Sequence, residues 1–348
     1  MPVTVRSYAK INFGLYIGPP RPDRFHDLRT VYQTIALHDI MQVSVVRGEG
    51  IEIRSEDARV PCDATNTCYR VAERVMTALK ASGKVIIELE KRLPVQGGLG
   101  GASGNAVATL LALERALKKQ LSGDERLRIA AEVGSDLPLF LMGGTSLGVG
   151  RGEEVYPLPD FPSVPCVIAT PQIGVSTPKA FADWDALMAE SGAAASTPQR
   201  SPDERSGATP NKLTLSSTSD RIETFSRVIS AWLNGFQLKT GKASSGVPVS
   251  KGRVRAENPL LDLVRTGIEN DFEKVVFPQY PDLRDVKIAL VKAGAFYASL
   301  SGSGSALYGL FATRAAAEKA AARLSRTGVA AVATATLTRQ QYWKRMFD

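Results

Sequence analysis

The amino-acid sequence predicts an α+β fold, in which strands joined by hairpins alternate with helices around one glycine-rich loop. Short β-branched runs such as residues 85–90 are typical of strands, and Ala- and Leu-rich runs such as residues 106–114 are typical of helices. Several strand signals are separated only by short turns, which favours an α+β fold over a doubly wound parallel sheet. The 348 residues suffice for one large domain or two ordinary domains.

The glycine-rich loop spans residues 94–105, reads PVQGGLGGASGN and contains five glycines. It lies between the predicted strand 85–90 and the predicted helix 106–114. Where a glycine-rich turn opens into a helix, free backbone N–H groups and the positive helix end converge, which suits a phosphate group. Glycine also permits the close approach and the positive φ angles of such a turn. The loop therefore predicts a nucleotide site, with a glycine-rich hinge that binds nothing as the alternative.

The spacing of the loop excludes the two commonest phosphate-binding motifs. The P-loop pattern GxxxxGK[ST] is absent because no lysine lies between Lys91 and Lys118. The dinucleotide pattern GxGxxG is absent because Ser103 occupies the third glycine position after Gly98 and Gly100. We therefore expect a nucleotide loop of another kind.

The composition is typical of a soluble globular protein, with 44% hydrophobic and 22% charged residues. No stretch approaches the roughly 18 consecutive apolar residues of a membrane span. Residues 1–10 lack the apolar core of a secretion signal. The three cysteines form no CxxC pair and there are only two histidines, which argues against a zinc site and for a reduced compartment. We therefore expect a cytoplasmic protein with no membrane partner.

The formal net charge of +8 is concentrated in one segment. Residues 191–256 contain ten Lys or Arg against four Asp or Glu, so the rest of the chain is close to neutral. The chain has no basic stripe interleaved with aromatic residues, which argues against a nucleic-acid partner. Small and polar residues dominate much of this segment and predict a flexible, low-complexity insertion at about residues 186–256. Within it, residues 222–232 have helical spacing and either dock on the body of the protein or bind a partner.

Several other polar side chains are candidates for chemistry, each with a structural alternative. Lys10 shares one strand face with Asn12 and is either a functional group or a solvated surface lysine. His26 is either a satisfied loop histidine or a ligand contact. Asp136 follows the end of a predicted helix among apolar residues, and it is either a helix cap or a catalytic carboxylate. A second glycine-rich turn at residues 301–305 is either a structural hairpin or part of the site.

Periodicity and turn signals predict the remaining elements. Strands are expected at residues 3–17, 31–35, 41–46, 50–53, 145–149, 151–158, 164–169 and 329–337. Helices are expected at residues 69–80, 122–133, 283–293 and 315–324.

Three separated motifs, AKIN at residues 9–12, the loop at 94–105 and LSGSGS at 300–305, occur in the order found in the GHMP small-molecule kinases. Together they resemble that superfamily far more specifically than any one of them does. Within it, SYAKIN, FHDLRT, GSDLPLF, VSTPKAF and NDFE are most similar to the branch that phosphorylates a cytidine diphosphate-linked methylerythritol in the non-mevalonate route to isoprenoids. The match covers about residues 3–183 and 258–337.

The resemblance implies a two-domain GHMP kinase fold with the active site in a cleft between the domains. The N-terminal, nucleotide-binding domain is expected to be similar to domain 2 of ribosomal protein S5 and to span residues 1–160. The C-terminal domain is expected to be ferredoxin-like and to span residues 161–348, with the insertion inside it. We expect a small-molecule substrate, ATP and Mg²⁺ as cofactors, and a monomer or a weak homodimer.

The resemblance also assigns roles to individual residues. Asp136 and Lys10 match the family's catalytic aspartate and lysine, and Asn12, Phe25, His26 and Phe181 match the residues that meet the substrate. The residues that match the nucleotide site are Asn66, Pro94, Val95, Gln96, Gly97, Gly98, Leu99, Gly100, Gly101, Ala102, Ser103 and Gly104. Ser103 is in addition a candidate metal or phosphate contact, and no protein metal ligand is otherwise assigned.

One substitution departs from the family pattern at the substrate end. The family usually has Gly-Tyr-His where this chain has Arg24, Phe25 and His26. Phenylalanine retains the ring that stacks on a cytosine but lacks the hydroxyl of tyrosine, so any hydrogen bond from that hydroxyl is lost.

Three alternatives remain open at this level. The first is another kinase of the superfamily, acting on homoserine or a mevalonate-type alcohol. The aromatic residues Phe25 and Phe181 favour a substrate that carries a base instead. The second is a non-catalytic ligand-sensing relative, whose signature would be the loss of Lys10 or Asp136. The third gives the insertion a binding role of its own while the body remains a kinase.

Overall fold

The computed structural model describes residues 1–95, 97–195 and 268–347 of the chain, which form two sheets and the helices that cover them. The first sheet contains β1 (Val3–Pro20), β2 (His26–Val46), β3 (Ile51–Ser55), β4 (Lys84–Glu90), β5 (Thr145–Val149) and β6 (Glu154–Pro157). The second contains β7 (Pro165–Thr170), β8 (Tyr297–Leu300), β9 (Leu307–Leu310) and β10 (Ala330–Ala335). The helices are α1 (Thr67–Ala78), α2 (Gly101–Leu117), α3 (Gly123–Val133), α4 (Leu137–Met142), α5 (Thr177–Ala195), α6 (Glu273–Gln279), α7 (Pro281–Lys292), α8 (Arg314–Ser325) and α9 (Arg339–Met346).

The first sheet is built around the long strand β2. On one side β2 pairs with β1, and on the other it pairs with β5 through residues 30–33 and with β4 through residues 40–46. The pairs are antiparallel except for β3 with β4, which is parallel. Helix α2 packs on this sheet and on α1, and its side chains from Asn105 to Glu114 are all buried, which explains its nearly continuous apolar sequence.

The second sheet has the strand order β10-β7-β9-β8, and all of its pairs are antiparallel. Numbered within this half of the chain, that order is 4-1-3-2, the arrangement of a ferredoxin-like sheet. Helix α8 covers it with Ala317, Ala320, Ala321 and Leu324, whose spacing of three and four residues forms one apolar stripe. The expected ferredoxin-like half is therefore confirmed.

Three features differ from the sequence-based expectation. The strands predicted at 31–35 and 41–46 are one strand, because β2 continues to pair with β1 across a register shift between Tyr8 and Ala9. The final predicted strand is followed by helix α9, which begins with a capping box formed by Thr338 and Gln341. Residues 186–195, expected in the flexible insertion, belong to helix α5. Residues 196–256, and with them the helix expected at 222–232, lie outside the described residues.

The two sheets meet along β1, and this junction positions the site. Ile11 and Phe13 of β1 are buried in one apolar cluster with Ile168 of β7 and Tyr308 of β9. The Tyr308 hydroxyl also donates a hydrogen bond of 2.6 Å to the carbonyl oxygen of Asn12. None of the helices in the part of the chain that the structure describes is long and apolar enough to cross a membrane.

Candidate active site

Lys10 and Asp136 form an ion pair at the centre of the cleft. The Lys10 ammonium lies 3.3 Å from Asp136 Oδ2 and donates a hydrogen bond of 2.9 Å to Asn12 Oδ1. The side chain of Lys10 is 5% exposed and that of Asp136 is 34% exposed, so the lysine is buried while the carboxylate faces the cleft. Lys10 is therefore not a solvated surface lysine.

Asp136 occupies the N-terminal cap position of helix α4, but its side chain makes no capping hydrogen bond. The carboxylate is turned toward Lys10 and toward the hydroxyl of Tyr32, which lies 3.3 Å from Asp136 Oδ1. Burial, and then the charge of Asp136, raises the pKa of Tyr32 well above its usual value. The tyrosine therefore stays protonated and donates its hydrogen bond. This geometry does not support a helix-cap role for the Asp136 side chain.

The glycine loop is held against β1 and the second glycine-rich turn by backbone contacts. The amide of Lys10 donates to the carbonyl of Leu99 at 2.9 Å, and the amide of Ala306 donates to the carbonyl of Gly97 at 3.1 Å. Gly98 has a φ of 73°, and a Cβ at this position would overlap the carbonyl oxygen of Ser301. Only glycine fits this approach of two loops.

The second glycine-rich turn borders the same cleft. The amide group of Asn270 donates to the carbonyl oxygens of Leu300 and Gly302 at 2.9 and 2.8 Å, which fixes the turn. A Cβ on Gly302 would lie 3.6 Å from Lys10 Nζ, so the turn approaches the central ion pair closely. The structural-hairpin alternative is thus insufficient, because the turn also lines the cleft.

A cavity of about 320 Å³ lies beside the glycine loop. Its lining includes Asn66, Ser103 and every described loop residue expected at the nucleotide site except Gly104, which is a buried residue of helix α2. The amide of Asn66 is engaged elsewhere: its oxygen caps helix α1 at Cys68, and its nitrogen donates to the carbonyl of Pro61. Asn66 therefore contributes to the wall of the cavity, while its amide group is already hydrogen-bonded within the protein. Gln96 lies outside the described residues.

A second cavity of about 660 Å³ adjoins the first at Gly98, which lines both. One part of this cavity is lined by the ion pair of Lys10 and Asp136, and another part, the aromatic part, is lined by the rings of Phe25, His26 and Phe181. The structure therefore places the following predicted residues in one cavity: Lys10, Asn12, Phe25, His26, Asp136 and Phe181.

His26, which is buried, and Phe181, which is partly buried, form the inner wall of the aromatic part. Their rings are stacked with centroids 4.9 Å apart and an angle of 12° between the planes. His26 Nε2 lies 2.7 Å from Asp185 Oδ1 on helix α5, and because a carboxylate only accepts, Nε2 carries the proton in the neutral ring. Nδ1 is then left as an acceptor. The direct contact of these two rings leaves no room for a base between them, so the open space lies toward Phe25.

Phe25 forms the outer wall and is 49% exposed. The guanidinium carbon of Arg151 lies 4.9 Å from its ring centroid, a distance that allows a cation–π contact. An exposed aromatic ring at the mouth of a cavity is available to stack on a planar ligand.

The site also contains residues that sequence reasoning did not select, among them Tyr32, Arg151, Asp185 and Thr177. The hydroxyl of Thr177 lies 2.7 Å from that of Ser303 and links helix α5 to the second glycine-rich turn. Only Tyr32 could have been suspected from the sequence, because it alternates with the polar residue Thr30 along one face of β2. In the structure Thr30 accepts a hydrogen bond from Asn12, and Tyr32 pairs with Asn12 across β1 and β2. The others become neighbours of the site only through tertiary contacts.

Two residues at the loop offer side-chain oxygen atoms that could contact a metal ion. No group of three or more His, Cys, Asp or Glu suited to a metal occurs in the described ranges. Ser103 and Asn105 both line the cavity of about 320 Å³. The Oδ1 atom of Asn105 is buried without a hydrogen-bond partner in the described structure. Both are oxygen donors of the kind that Mg²⁺ accepts.

Comparison with known proteins agrees with this geometry. Residues 66–144 match the family model described as the GHMP kinases N terminal domain, and residues 256–330 match that of the GHMP kinases C terminal. The 4-diphosphocytidyl-2-C-methyl-D-erythritol kinase of Solibacter usitatus is 36% identical over 89% of this chain and 81% of the relative. The enzyme of the same description from Moorella thermoacetica is 32% identical over 96% of this chain and 99% of the relative.

Solved structures give the same result. A crystal structure of 4-(cytidine 5'-diphospho)-2C-methyl-D-erythritol kinase aligns with a TM-score of 0.67 and 27% identity over 96% of this chain and 98% of that chain. A homoserine kinase from Cytophaga hutchinsonii shares the fold with a TM-score of 0.62 at 18% identity, over 97% of this chain and 96% of that chain. The chain belongs to the GHMP kinases and, within them, to the 4-diphosphocytidyl-2-C-methyl-D-erythritol kinase family.

Proposed function

We propose that this protein transfers the γ-phosphate of ATP to the 2-hydroxyl of 4-diphosphocytidyl-2-C-methyl-D-erythritol, a step of isoprenoid biosynthesis. The observation that carries the proposal is the position of the Lys10–Asp136 pair. It lies in the larger cavity next to the point where Gly98 joins that cavity to the nucleotide cavity. A phosphate donor on one side and an alcohol on the other would meet there.

The nucleotide end is proposed to be held by the glycine loop. Helix α2 begins at Gly101, directly after the loop, so its free N–H groups and positive end face the cavity beside Ser103. Mg²⁺, with Ser103 and Asn105 as the candidate protein contacts, would supply neutralisation of phosphate charge when bound. Asn66 and the loop residues would enclose the adenosine part.

The proton-transfer end is proposed to depend on Asp136 as general base. Transfer requires the hydroxyl in line with the γ-phosphate and its proton removed. Lys10 at 3.3 Å favours the ionised carboxylate, and its positive charge attracts the transferred phosphoryl group. Tyr32 and Asn12 keep the two charged groups in place, because one donates to Asp136 and the other accepts from Lys10.

The cytidine end is proposed to lie in the aromatic part of the cavity. Phe25 on the outside and the Phe181–His26 stack on the inside provide the flat apolar walls that a base requires. With its proton on Nε2, His26 offers Nδ1 as an acceptor for an exocyclic amino group such as that of cytosine.

The compartment, the partners and the domain division are part of the same proposal. We propose a cytoplasmic enzyme that acts on a small molecule as a monomer or weak homodimer, without a nucleic-acid partner. We also propose that residues 1–160 and 161–348 are its two domains. The division is supported by the change of sheet between β6 and β7, although helix α9 returns to pack on β1.

The test is ADP release by the purified chain with ATP and Mg²⁺ against four alcohols. The panel contains 4-diphosphocytidyl-2-C-methyl-D-erythritol, 2-C-methyl-D-erythritol, homoserine and mevalonate. Turnover of the first compound alone is expected, because only that compound uses the aromatic walls. Turnover of homoserine or mevalonate instead would retain the kinase and overturn the proposed substrate. ATP binding without turnover of any of the four would favour a ligand-sensing protein.

A further inference from the structure

We propose that Arg24 and Arg151 bind the diphosphate of the substrate and thereby determine its specificity. The inference rests on the proposed function, because it assigns contacts to the part of the substrate between base and alcohol. Both side chains line the cavity of about 660 Å³ that contains Asp136 and the aromatic walls. Besides Lys10, they are the cations among the described lining residues.

The position of Arg151 follows from its contacts on two sides. On one side its guanidinium carbon lies 4.9 Å from the ring centroid of Phe25, in the aromatic wall. On the other side the carbonyl oxygen of the next residue, Gly152, lies 3.4 Å from the Tyr32 hydroxyl, which donates to Asp136. Arg151 therefore lies between the base end and the proton-transfer end, where a linker joining base and alcohol must pass.

The charge of Arg151 is only partly used by the protein. Its Nε donates to Glu153 Oε1 at 3.1 Å, and its backbone amide donates to Glu153 Oε2 at 2.6 Å. These bonds orient the guanidinium group, and Asp23 lies near enough to interact with its charge, but the two terminal nitrogens form no hydrogen bond or ion pair with any described residue. The Nη1–Nη2 edge of this planar group is free, and it matches the paired oxygens of a phosphate.

Arg24 enters the same cavity from the turn between β1 and β2. It has a φ of 67°, which is uncommon for a residue with a side chain, and its guanidinium has no partner among the described residues. In the same turn, Arg21 is engaged with Asp27 at 2.8 Å and does not line the cavity. A backbone conformation that disfavours side chains, combined with an unpaired charge in a cavity, points to a ligand contact.

The chemistry of the ligand matches this pair. A diphosphate esterified at both ends has one ionised oxygen on each phosphorus atom, and therefore carries two negative charges. Two guanidinium groups balance them, whereas a bare alcohol offers no group for either arginine. The pair would also attract the anionic substrate into the cleft before it binds.

The experiment compares Arg24→Gly and Arg151→Gln with the wild-type chain at fixed salt and saturating ATP. Glycine suits the positive φ of Arg24, and Arg24→Asn, which also tolerates that φ, replaces it if the glycine variant fails to fold. Arg323→Gln on helix α8 is the matched control, because it removes the same charge from an exposed surface. Each assay gives kcat and KM for the cytidylated alcohol and for ATP, and the inhibition constants of cytidine and cytidine 5'-diphosphate.

We expect each cavity variant to raise KM for the cytidylated alcohol about tenfold, the usual scale for losing one charged hydrogen bond at a partly exposed site. KM for ATP should stay within about twofold. The inhibition constant of cytidine 5'-diphosphate should rise about tenfold, and that of cytidine should not change, because only cytidine 5'-diphosphate carries the phosphates. Arg151→Lys should recover part of the loss, since it restores the charge but not the planar fork.

The failures are distinguishable. Variants that turn over the cytidylated alcohol with the wild-type KM would overturn the assignment of the arginines and leave the proposed function intact. Equal losses for cytidine and cytidine diphosphate would also overturn it, because they would indicate damage to the aromatic wall. A wild-type chain that does not turn over the cytidylated alcohol would overturn the proposed function, and with it this inference.

Discussion

Asp136→Asn is the substitution that tests the catalytic assignment most directly. Lys10 Nζ and the Tyr32 hydroxyl each lie 3.3 Å from one carboxylate oxygen of Asp136. The amide keeps the shape of the carboxylate, and its single oxygen can still accept a hydrogen bond from one of these two donors, but the proton-accepting capacity is lost. General-base catalysis is worth roughly 10²- to 10⁴-fold, and each tenfold corresponds to about 1.36 kcal/mol, so we expect the barrier to rise by about 2.7 to 5.4 kcal/mol.

Stability and nucleotide binding should change little in this variant. Asp136 is about one-third exposed, so water partly screens its ion pair with Lys10, and Lys10 keeps its hydrogen bond to Asn12; we therefore expect the melting temperature to fall only modestly. The nucleotide cavity does not include Asp136, so the affinity for ATP should stay within about threefold, the scale of a long-range charge effect.

The assay is a coupled measurement of ADP release, with ATP affinity by calorimetry and the melting temperature as separate readouts. Tyr32→Phe is the matched control, because it removes the hydrogen bond to Asp136 and keeps the base; we expect it to lower kcat by no more than about tenfold. A D136N variant with kcat within tenfold of wild type would refute the base assignment. A large loss of ATP affinity would show that the lower turnover also reflects weaker nucleotide binding and not the chemical step alone.

Three further predictions concern the loop, the aromatic wall and the thiols. Gly98→Ala should raise KM for ATP more than about tenfold and lower the melting temperature. Cβ strain at positive φ costs about 1 to 2 kcal/mol, and the overlap with Ser301 displaces the loop. Gly123→Ala is the control and should change neither quantity, because a Cβ there meets nothing within 4 Å. Phe181→Ala should raise KM for the cytidylated alcohol about tenfold with KM for ATP unchanged, and equal changes in both would count against a base-stacking role. Mass spectrometry after alkylation at pH 8 should find Cys62 modified and Cys68 protected. Cys62 is exposed, whereas burial raises the pKa of Cys68 to about 12. Rapid modification of Cys68 in the folded chain would contradict this prediction.

Local chemistry made part of the fold predictable. The glycine loop could be found because the need for positive φ and close approach at Gly98 is a property of single residues in a short segment. Helix α1 could be found from its cap residue Asn66 and its buried spacing. Helix α9 was missed although Thr338 and Gln341 form a readable capping box, since its eight residues are too few and too polar to show an apolar stripe.

Strand β2 shows the limit of such reasoning. The polar residues His38 and Asp39 separate its two apolar runs, and this pattern predicts a break between two strands. In the structure they are strand residues, because β1 pairs alongside them and Asp39 is buried with Lys91 as its partner. Pairing with a distant segment overrides local propensity, which is why β2 emerges as one strand of 21 residues.

The α+β class could be predicted from the amino-acid sequence, because strand alternation and helical spacing are local properties, and the order of three motifs singled out Lys10 and Asp136 as candidates through their family resemblance. The folded chain was needed to show that the Asp136 side chain faces Lys10 and does not cap its helix, and that His26 bonds to Asp185, 159 residues away. It alone brought Arg24 and Arg151 into one cavity. Contacts between distant side chains depend on how the two sheets pack along β1, and no spacing within either segment records that packing.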